Sequence, residues 1–284
     1  LGQSGSGKTM ICRALFGLTD RYDFDVSGQI VFKGEDILSA DAKKRRKLYG
    51  SDIALIPQNP MTAFDPSCKI GNQLAETYRL HNKSSAKAAR NAVLEAMQRA
   101  GLEDCKAVWS SYPYMLSGGM LQRAAVAAAI MNRPRLIIAD EPTTALDVTI
   151  QAQILELMCE LREKMGTAIM LITHDMGVVA ETADDVLVLY AGKAVEYGSI
   201  EDIFERPKHP YTQGLLNSIP RLDEDVELLN TIEVTVPAPD AMPAGCRFAP
   251  RCPYGKDRCM KEKPGVYHAG NSLVSCFRYE GEKE

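Results

Sequence analysis

The segment Gly2-Gln3-Ser4-Gly5-Ser6-Gly7-Lys8-Thr9 fits the phosphate-loop pattern G-x-x-x-x-G-K-[ST]. Its glycines let the backbone turn so that successive N–H groups face an anion at the start of a helix beginning near Lys8. Lys8 then reaches the β- and γ-phosphates of a nucleotide, and Thr9 offers a hydroxyl to the Mg²⁺ that bridges them. Asp140 and Glu141 close the apolar run Leu136-Ile137-Ile138-Ala139, at a strand end of the kind where α/β sheets place ligands. Asp140 suits Mg²⁺ coordination. Glu141, turned the other way by the strand's two-residue period, suits orienting a water toward the γ-phosphate. Ala168 to Thr173 reads as another buried strand, which delivers His174 to the same sheet edge. Gln58 sits in a proline-bounded loop after the strand Asp52 to Ile56, a place for an amide that senses a ligand. Leu116-Ser117-Gly118-Gly119-Met120-Leu121-Gln122-Arg123 opens a second helix whose bare amides and Ser117 hydroxyl could grip an anion from outside. Taken singly, each feature has an ordinary counterpart: a chance Gly/Ser loop, a solvated acidic strand end, a structural histidine, a plain Ser-Gly-Gly helix start.

The elements that must carry these residues alternate as an α/β chain does. A helix follows the loop from Met10 to Leu18, and Gly28 to Gly34 reads as a short strand between turn residues. From about Pro60 to Arg133 the pattern is helical and strand-free. Ser84 and Ser85 can cap a helix whose apolar positions Ala89, Val93, Met97 and Ala100 follow 3-4 spacing up to Gly101. Ile150, Ile154, Leu157, Met158 and Leu161 form the core stripe of a helix ending at Gly166. Val186 to Tyr190 and Lys193 to Tyr197, joined by Ala191-Gly192, read as a closing hairpin. A phosphate loop of this type follows a buried strand, yet only Leu1 precedes Gly2. The expectation is therefore a fragment that begins inside a domain, with its N-terminal strands missing.

The chain has 284 residues, is 45% hydrophobic and carries a net charge of −4, with an isoelectric point near 5.7. This gives a globular class with a sizeable core and no electrostatic footprint for nucleic acid. The basic run Lys43 to Lys47 reads as a solvated helix face. No apolar stretch approaches the roughly 20 residues needed to span a bilayer, so a membrane role must come through a partner. Of eight cysteines, Cys12, Cys68, Cys105 and Cys159 are scattered as small hydrophobes of a reducing compartment are, whereas Cys246, Cys252, Cys259 and Cys276 crowd the tail. Four thiolates can hold an iron–sulfur cluster, but these spacings match neither common ferredoxin pattern. Tetrahedral Zn²⁺ is the rival, although its usual short knuckle is missing. Such a ligand would staple a lobe poor in apolar residues.

In this order the six elements resemble the ATP-binding cassette (ABC) ATPases across essentially all of residues 1–205. Gly2 to Thr9 is similar to Walker A, Gln58 to the Q-loop glutamine, Leu116 to Gln122 to the signature sequence, Leu136 to Glu141 to Walker B, Ala145-Leu146-Asp147 to the D-loop, and His174 to the switch histidine. The resemblance implies a P-loop NTPase fold, a RecA-like core with a helical subdomain at about 60–133. It also implies a head-to-tail pair with ATP between Walker A of one domain and Ser117-Gly118-Gly119 of the other. Site residues implied for ATP are Gly2, Ser4, Gly5, Ser6, Gly7, Lys8, Thr9, Gln58, Asp140, Ser117, Gly118, Gly119, Gln122 and Asp147, with Thr9, Asp140 and Gln58 on Mg²⁺. Glu141 would be the general base, assisted by His174 and Gln58. Pro57 to Thr62, Asp140 to Asp147 and His209-Pro210-Tyr211-Thr212 look like the D-type ATPase of bacterial dipeptide/oligopeptide importers, a group that also takes in nickel importers.

From the resemblance, residues 206–243 are expected to form a C-terminal extension and linker. Residues 244–284 are expected to form a separate, small cysteine-rich appendage holding a four-iron four-sulfur cluster on Cys246, Cys252, Cys259 and Cys276, with Zn²⁺ the alternative. The implied role is ATP hydrolysis powering peptide import at the cytoplasmic face of the membrane. Nickel or metal-chelate import is the alternative, and a non-transport ABC ATPase a more distant one. Implied partners are a paralogous ATPase or second copy, two permease subunits and a substrate-binding protein.

Overall fold

The computed structural model describes residues 1–3, 5–19, 24–144, 146–218 and 237–281. Ser4, Ala145 and residues 219–236 of the expected extension lie outside the described residues. The chain divides into two compact units, one of Thr9–Ile172 and one of Leu1–Lys8 with the described residues from Thr173 onward.

In the Thr9–Ile172 unit, α1 (Lys8–Phe16, entered from the other unit at its first residue) precedes the small hairpin β1 (Val31–Phe32) and β2 (Glu35–Asp36), then α2 (Ala42–Leu48) and β3 (Ile53–Ile56). The next strand, β4 (Leu136–Asp140), comes only after α3 (Ile70–His81), α4 (Ala86–Arg99), α5 (Cys105–Ser110) and α6 (Gly118–Ile130); α7 (Val148–Met165) and β5 (Ala168–Ile172) follow. The three strands pair in parallel in the order β3-β4-β5.

Period-2 alternation sends the central strand's side chains to two cores. Ile138 faces Cys12 and Leu15 of α1 together with Ile53 and Ile172. Ile137 and Ala139 join a larger core with Leu121, Ala125 and Val126 of α6 and Ile154, Met158 and Leu161 of α7. β5 lies at one edge of this three-stranded sheet and alternates in exposure, with Met170 at 44%, so it is not the two-faced buried strand expected from its apolar run.

Helix boundaries follow their caps. Of the two candidate serines, Ser85 accepts from Ala88 N–H at 3.2 Å and opens α4. Gly166 closes α7 in the left-handed region at φ 64°. α2 presents no buried residue, and Lys44 pairs with Glu35 at 2.7 Å.

The other unit contains α8 (Met176–Thr182), β6 (Asp185–Tyr190), β7 (Lys193–Ser199), α9 (Ile200–Glu205), α10 (Pro210–Asn217), α11 (Asp257–Lys261), β8 (Tyr267–Ala269) and β9 (Ser272–Val274). The sheet order is β6-β7-β9-β8, all antiparallel. The stretch from 244, read from sequence as a separate appendage, thus adds two strands to the β6–β7 hairpin, with Glu196 opposite Val274 and Tyr197 opposite Leu273. These strands are three residues each, too short for their alternation to stand out in the sequence. Phe248 completes the core with Tyr190, Tyr211, Val186, Val188 and Ile203. Among the described residues no helix is long and apolar enough to cross a membrane.

Candidate active site

At the C-terminal ends of β3 and β4 four expected residues meet in two pairs. Thr9 Oγ1 donates to Asp140 Oδ1 at 3.2 Å, and Gln58 Nε2 donates to Glu141 Oε2 at 2.8 Å. Thr144 Oγ1 also donates to Glu141 Oε2, at 3.0 Å. Asp140 is 5% exposed, whereas the Gln58–Glu141 bond lies at the surface. Burial, with the negative charge of Asp140 in addition, pushes the Cys12 thiol up to about 12, so that Cys12 stays a neutral packing group. Thr9 and Asp140 are oxygen donors of the kind Mg²⁺ takes.

Glu141 departs from the strand alternation expected of it. β4 ends at Asp140, and Glu141 takes a left-handed backbone at φ 46° while its N–H donates to the Ile172 carbonyl at 2.8 Å. A turn at a strained backbone position, not the pleat, therefore aims its carboxylate.

In the other unit, the loop before α1 is held by its own residues and by the β6–β7 hairpin. Gly5 and Gly7 are left-handed at φ 78° and 93°, where a side chain would be strained. A Cβ on Gly2 would lie 2.2 Å from the Leu189 carbonyl oxygen. Lys8, 6% exposed, donates through Nζ to the carbonyls of Gly2 at 2.7 Å and Gln3 at 3.0 Å. Ser6 is 4% exposed, and its hydroxyl has no hydrogen-bond partner among the described residues. An orphan buried hydroxyl, a buried ammonium and a cradle that a Cβ would fill suit a phosphate group. His174 is exposed, and the next residue, Asp175, caps α8 by accepting from Gly177 N–H at 2.8 Å.

The signature and D-loop residues serve as helix starts. Ser117 accepts from Met120 N–H at 3.3 Å at the N-terminus of α6, with Gly118 exposed beside it. Asp147 accepts from Ile150 N–H at 2.9 Å at the N-terminus of α7. A Cβ on Gly119 would lie 3.3 Å from the Ile150 side chain. Gln122, in contrast, is 1% exposed, with no partner for its Nε2 among the described residues, so it faces the core.

The four tail cysteines lie within one another's electrostatic reach. Burial, with added charge from Cys276, Cys246 and Cys259, pushes the Cys252 thiol up to about 11; burial also raises Cys246 and Cys276. Cys246 N–H donates to the Cys259 carbonyl at 2.8 Å. Among the described residues no three Cys, His, Asp or Glu side chains are drawn together as a metal-ion cage. Four thiols are nevertheless donors of the kind that iron–sulfur clusters and Zn²⁺ take.

Sequence reasoning missed the Thr144 hydroxyl on Glu141, although Thr144 stands three residues beyond it. It also missed the contacts behind the phosphate loop. Tyr211 Oη accepts from Gln3 N–H at 3.1 Å, and the Arg247 guanidinium donates to the Ala191 carbonyl.

The chain matches the family described as "ABC transporter" over residues 1–144, and the "Oligopeptide/dipeptide transporter, C-terminal region" over residues 195–259. It is 44% identical to the oligopeptide transport ATP-binding protein AppD of Bacillus subtilis, over 99% of this chain and 87% of the relative. Against the dipeptide transport ATP-binding protein DppD of Escherichia coli the identity is 43%, over 98% and 85%. Among solved structures, the dimeric post-hydrolysis ATP-binding cassette MJ0796 bound to ADP and Pi superposes with a TM-score of 0.62 at 25% identity, covering 70% of this chain and 83% of that one. CbiO1 of Clostridium perfringens gives 0.60 at 26%, covering 72% and 78%. The chain therefore belongs to the ATP-binding proteins of the ABC transporter family, in the branch that carries the oligopeptide/dipeptide transporter C-terminal region.

Proposed function

We propose that this chain is the ATP-hydrolysing subunit of an importer for di- and oligopeptides, working from the cytoplasmic face of the membrane. ATPases of this family bind ATP with Mg²⁺ and associate with membrane permease subunits. The observation that carries the reading is the hydrogen bond from Gln58 to Glu141 at 2.8 Å, one residue from the Thr9–Asp140 pair. In this reading Gly2, Ser4, Gly5, Ser6 and Gly7 offer backbone amides to the phosphates, and Lys8 exchanges its loop carbonyls for phosphate oxygens. Thr9 and Asp140 would hold Mg²⁺, with Gln58 contributing to the same ion, which supplies charge neutralisation in phosphoryl transfer. Glu141, aimed by Gln58 and Thr144, accepts the proton of the attacking water, and His174 steadies the γ-phosphate.

Ser117, Gly118 and Gly119 serve the nucleotide of a second cassette, either a paralogue or another copy, as does Asp147. Gln122 supports that segment from the core. Residues 1–205 form the cassette, with its helical part at 60–133 receiving the permease. Residues 206–243 extend it, and 244–284 carry Cys246, Cys252, Cys259 and Cys276 as ligands of a four-iron four-sulfur cluster. A substrate-binding protein delivers the cargo. Support for peptides comes from the relatives' names and the matched C-terminal region.

The test is uptake in a strain lacking this subunit. Loss of dipeptide uptake with nickel uptake intact is the expected result; loss of nickel uptake alone overturns the cargo. Metal analysis of anaerobically purified protein tests the lobe. About four iron per chain is expected, and about one zinc per chain would replace the cluster by a structural Zn²⁺ clip.

A further inference from the structure

We propose that Tyr211 and Arg247 are positioning residues for the loop Gly2–Lys8, so that the H-P-Y motif and the cysteine lobe brace that loop and set its affinity for nucleotide. The proposal rests on the reading of this loop as the phosphate site.

Gln3 is fixed from both sides. Its carbonyl accepts from Ser6 N–H at 3.2 Å and from Lys8 Nζ at 3.0 Å, while its N–H donates to the Tyr211 hydroxyl at 3.1 Å. One of the two residues whose carbonyls hold the Lys8 ammonium is thus anchored by a side chain more than 200 positions away in sequence. Tyr211 is in turn fixed: fully buried, it packs at a tilt against Tyr190 at 4.7 Å and meets Phe248 edge-on at 5.5 Å. His209 Nδ1 accepts the Tyr211 N–H at 3.0 Å, and Glu196 accepts the N–H groups of Lys208 and His209 at 2.6 and 3.0 Å. The motif therefore builds a rigid mount for one phenol.

A second brace reaches the other end of the loop. Ser6 O accepts from Gly192 N–H at 2.9 Å, and Gly192 follows Ala191, a non-glycine residue in the left-handed region at φ 45°. Such a residue persists only when its surroundings hold it. Here the Arg247 guanidinium grips the Ala191 carbonyl. Arg247 and Phe248, the starting points of the two braces, directly follow Cys246.

The test compares Tyr211→Phe, Arg247→Met and Arg247→Lys in the full chain, reading the KM for ATP, kcat, direct Mg-ADP binding and the melting temperature. Tyr211→Phe keeps the ring and removes only the acceptor oxygen. We expect its KM and its dissociation constant for Mg-ADP to rise about three- to ten-fold, the size of one ordinary hydrogen bond, with kcat changed by less than about two-fold. Arg247→Met should match this, and Arg247→Lys should restore part of it. Unchanged KM and Mg-ADP binding in both Tyr211→Phe and Arg247→Met overturns the proposal, whatever happens to the melting temperature; so does a fall in kcat at constant KM. If Tyr211→Phe does not fold, the two Arg247 variants decide alone. A native protein that binds neither ATP nor ADP would instead overturn the phosphate-site reading beneath it.

Discussion

Glu141 meets Gln58 and Thr144 through hydrogen bonds on an exposed strand-end surface, whereas the loop Gly2–Lys8 is backed by Tyr211, Tyr190 and Phe248, each 2% exposed or less. The first arrangement leaves a carboxylate open to water and able to exchange partners. The second fixes backbone atoms by aromatic packing and buried hydrogen bonds. The contrast suits the two jobs proposed for them. Holding phosphates with amides demands a backbone that does not move, while a proton-accepting carboxylate must be oriented yet reachable. The two regions should accordingly fail differently, one through stability and nucleotide affinity, the other through turnover.

The sharpest break is Phe248→Ala. Removing a fully buried ring from the aromatic mount should cost about 3–5 kcal/mol of stability, read as a shifted denaturant midpoint. Retention of wild-type stability would show the mount to be loosely packed. Gln58→Ala, on the exposed side, should slow hydrolysis about ten-fold. That corresponds to loss of one hydrogen bond to a charged group at about 1.5 kcal/mol. Its stability should stay within about 0.5 kcal/mol of wild type, and a large loss of stability there would erase the distinction between the regions.

A finer contrast is in pH. Burial holds His209 down at about 3, against an ordinary value of about 6.5. The unfolded chain therefore takes up a proton that the folded chain refuses. His209 contributes stability that is complete above about pH 6.5 and is lost progressively as pH falls toward 3. Melting temperatures between pH 7 and 5 should fall less steeply in His209→Asn, whose amide oxygen can still accept the Tyr211 N–H. Burial moves Glu196 in the opposite sense, and because it remains in both proteins the difference isolates the histidine. The smallest effect is Ser85→Ala, a capping loss of about 1 kcal/mol in α4, remote in sequence from both regions. It should leave KM and kcat alone.

Much of this was legible in the sequence because local chemistry dictated it. Three glycines before a lysine announce a loop that only glycine can follow, and two of them are left-handed here. The apolar run Leu136–Ala139 ends in the carboxylates that Thr9 and Gln58 reach. Short-range patterns do not record long-range partners, however. The bond from Gln3 to Tyr211 crosses more than 200 residues, and the three-residue strands β8 and β9 are too short for period-2 alternation to reveal that they extend the hairpin. The left-handed backbone at Glu141 was hidden for another reason: a strand's pleat extrapolates only as far as the strand lasts.

The most direct measurement is ATP binding and single-turnover hydrolysis by Glu141→Gln beside the wild-type chain in the assembled transporter. The amide keeps the side chain's shape and removes its basicity. The account predicts ATP retained at wild-type affinity and hydrolysis reduced about 10²- to 10⁴-fold. Undiminished turnover in Glu141→Gln would contradict it.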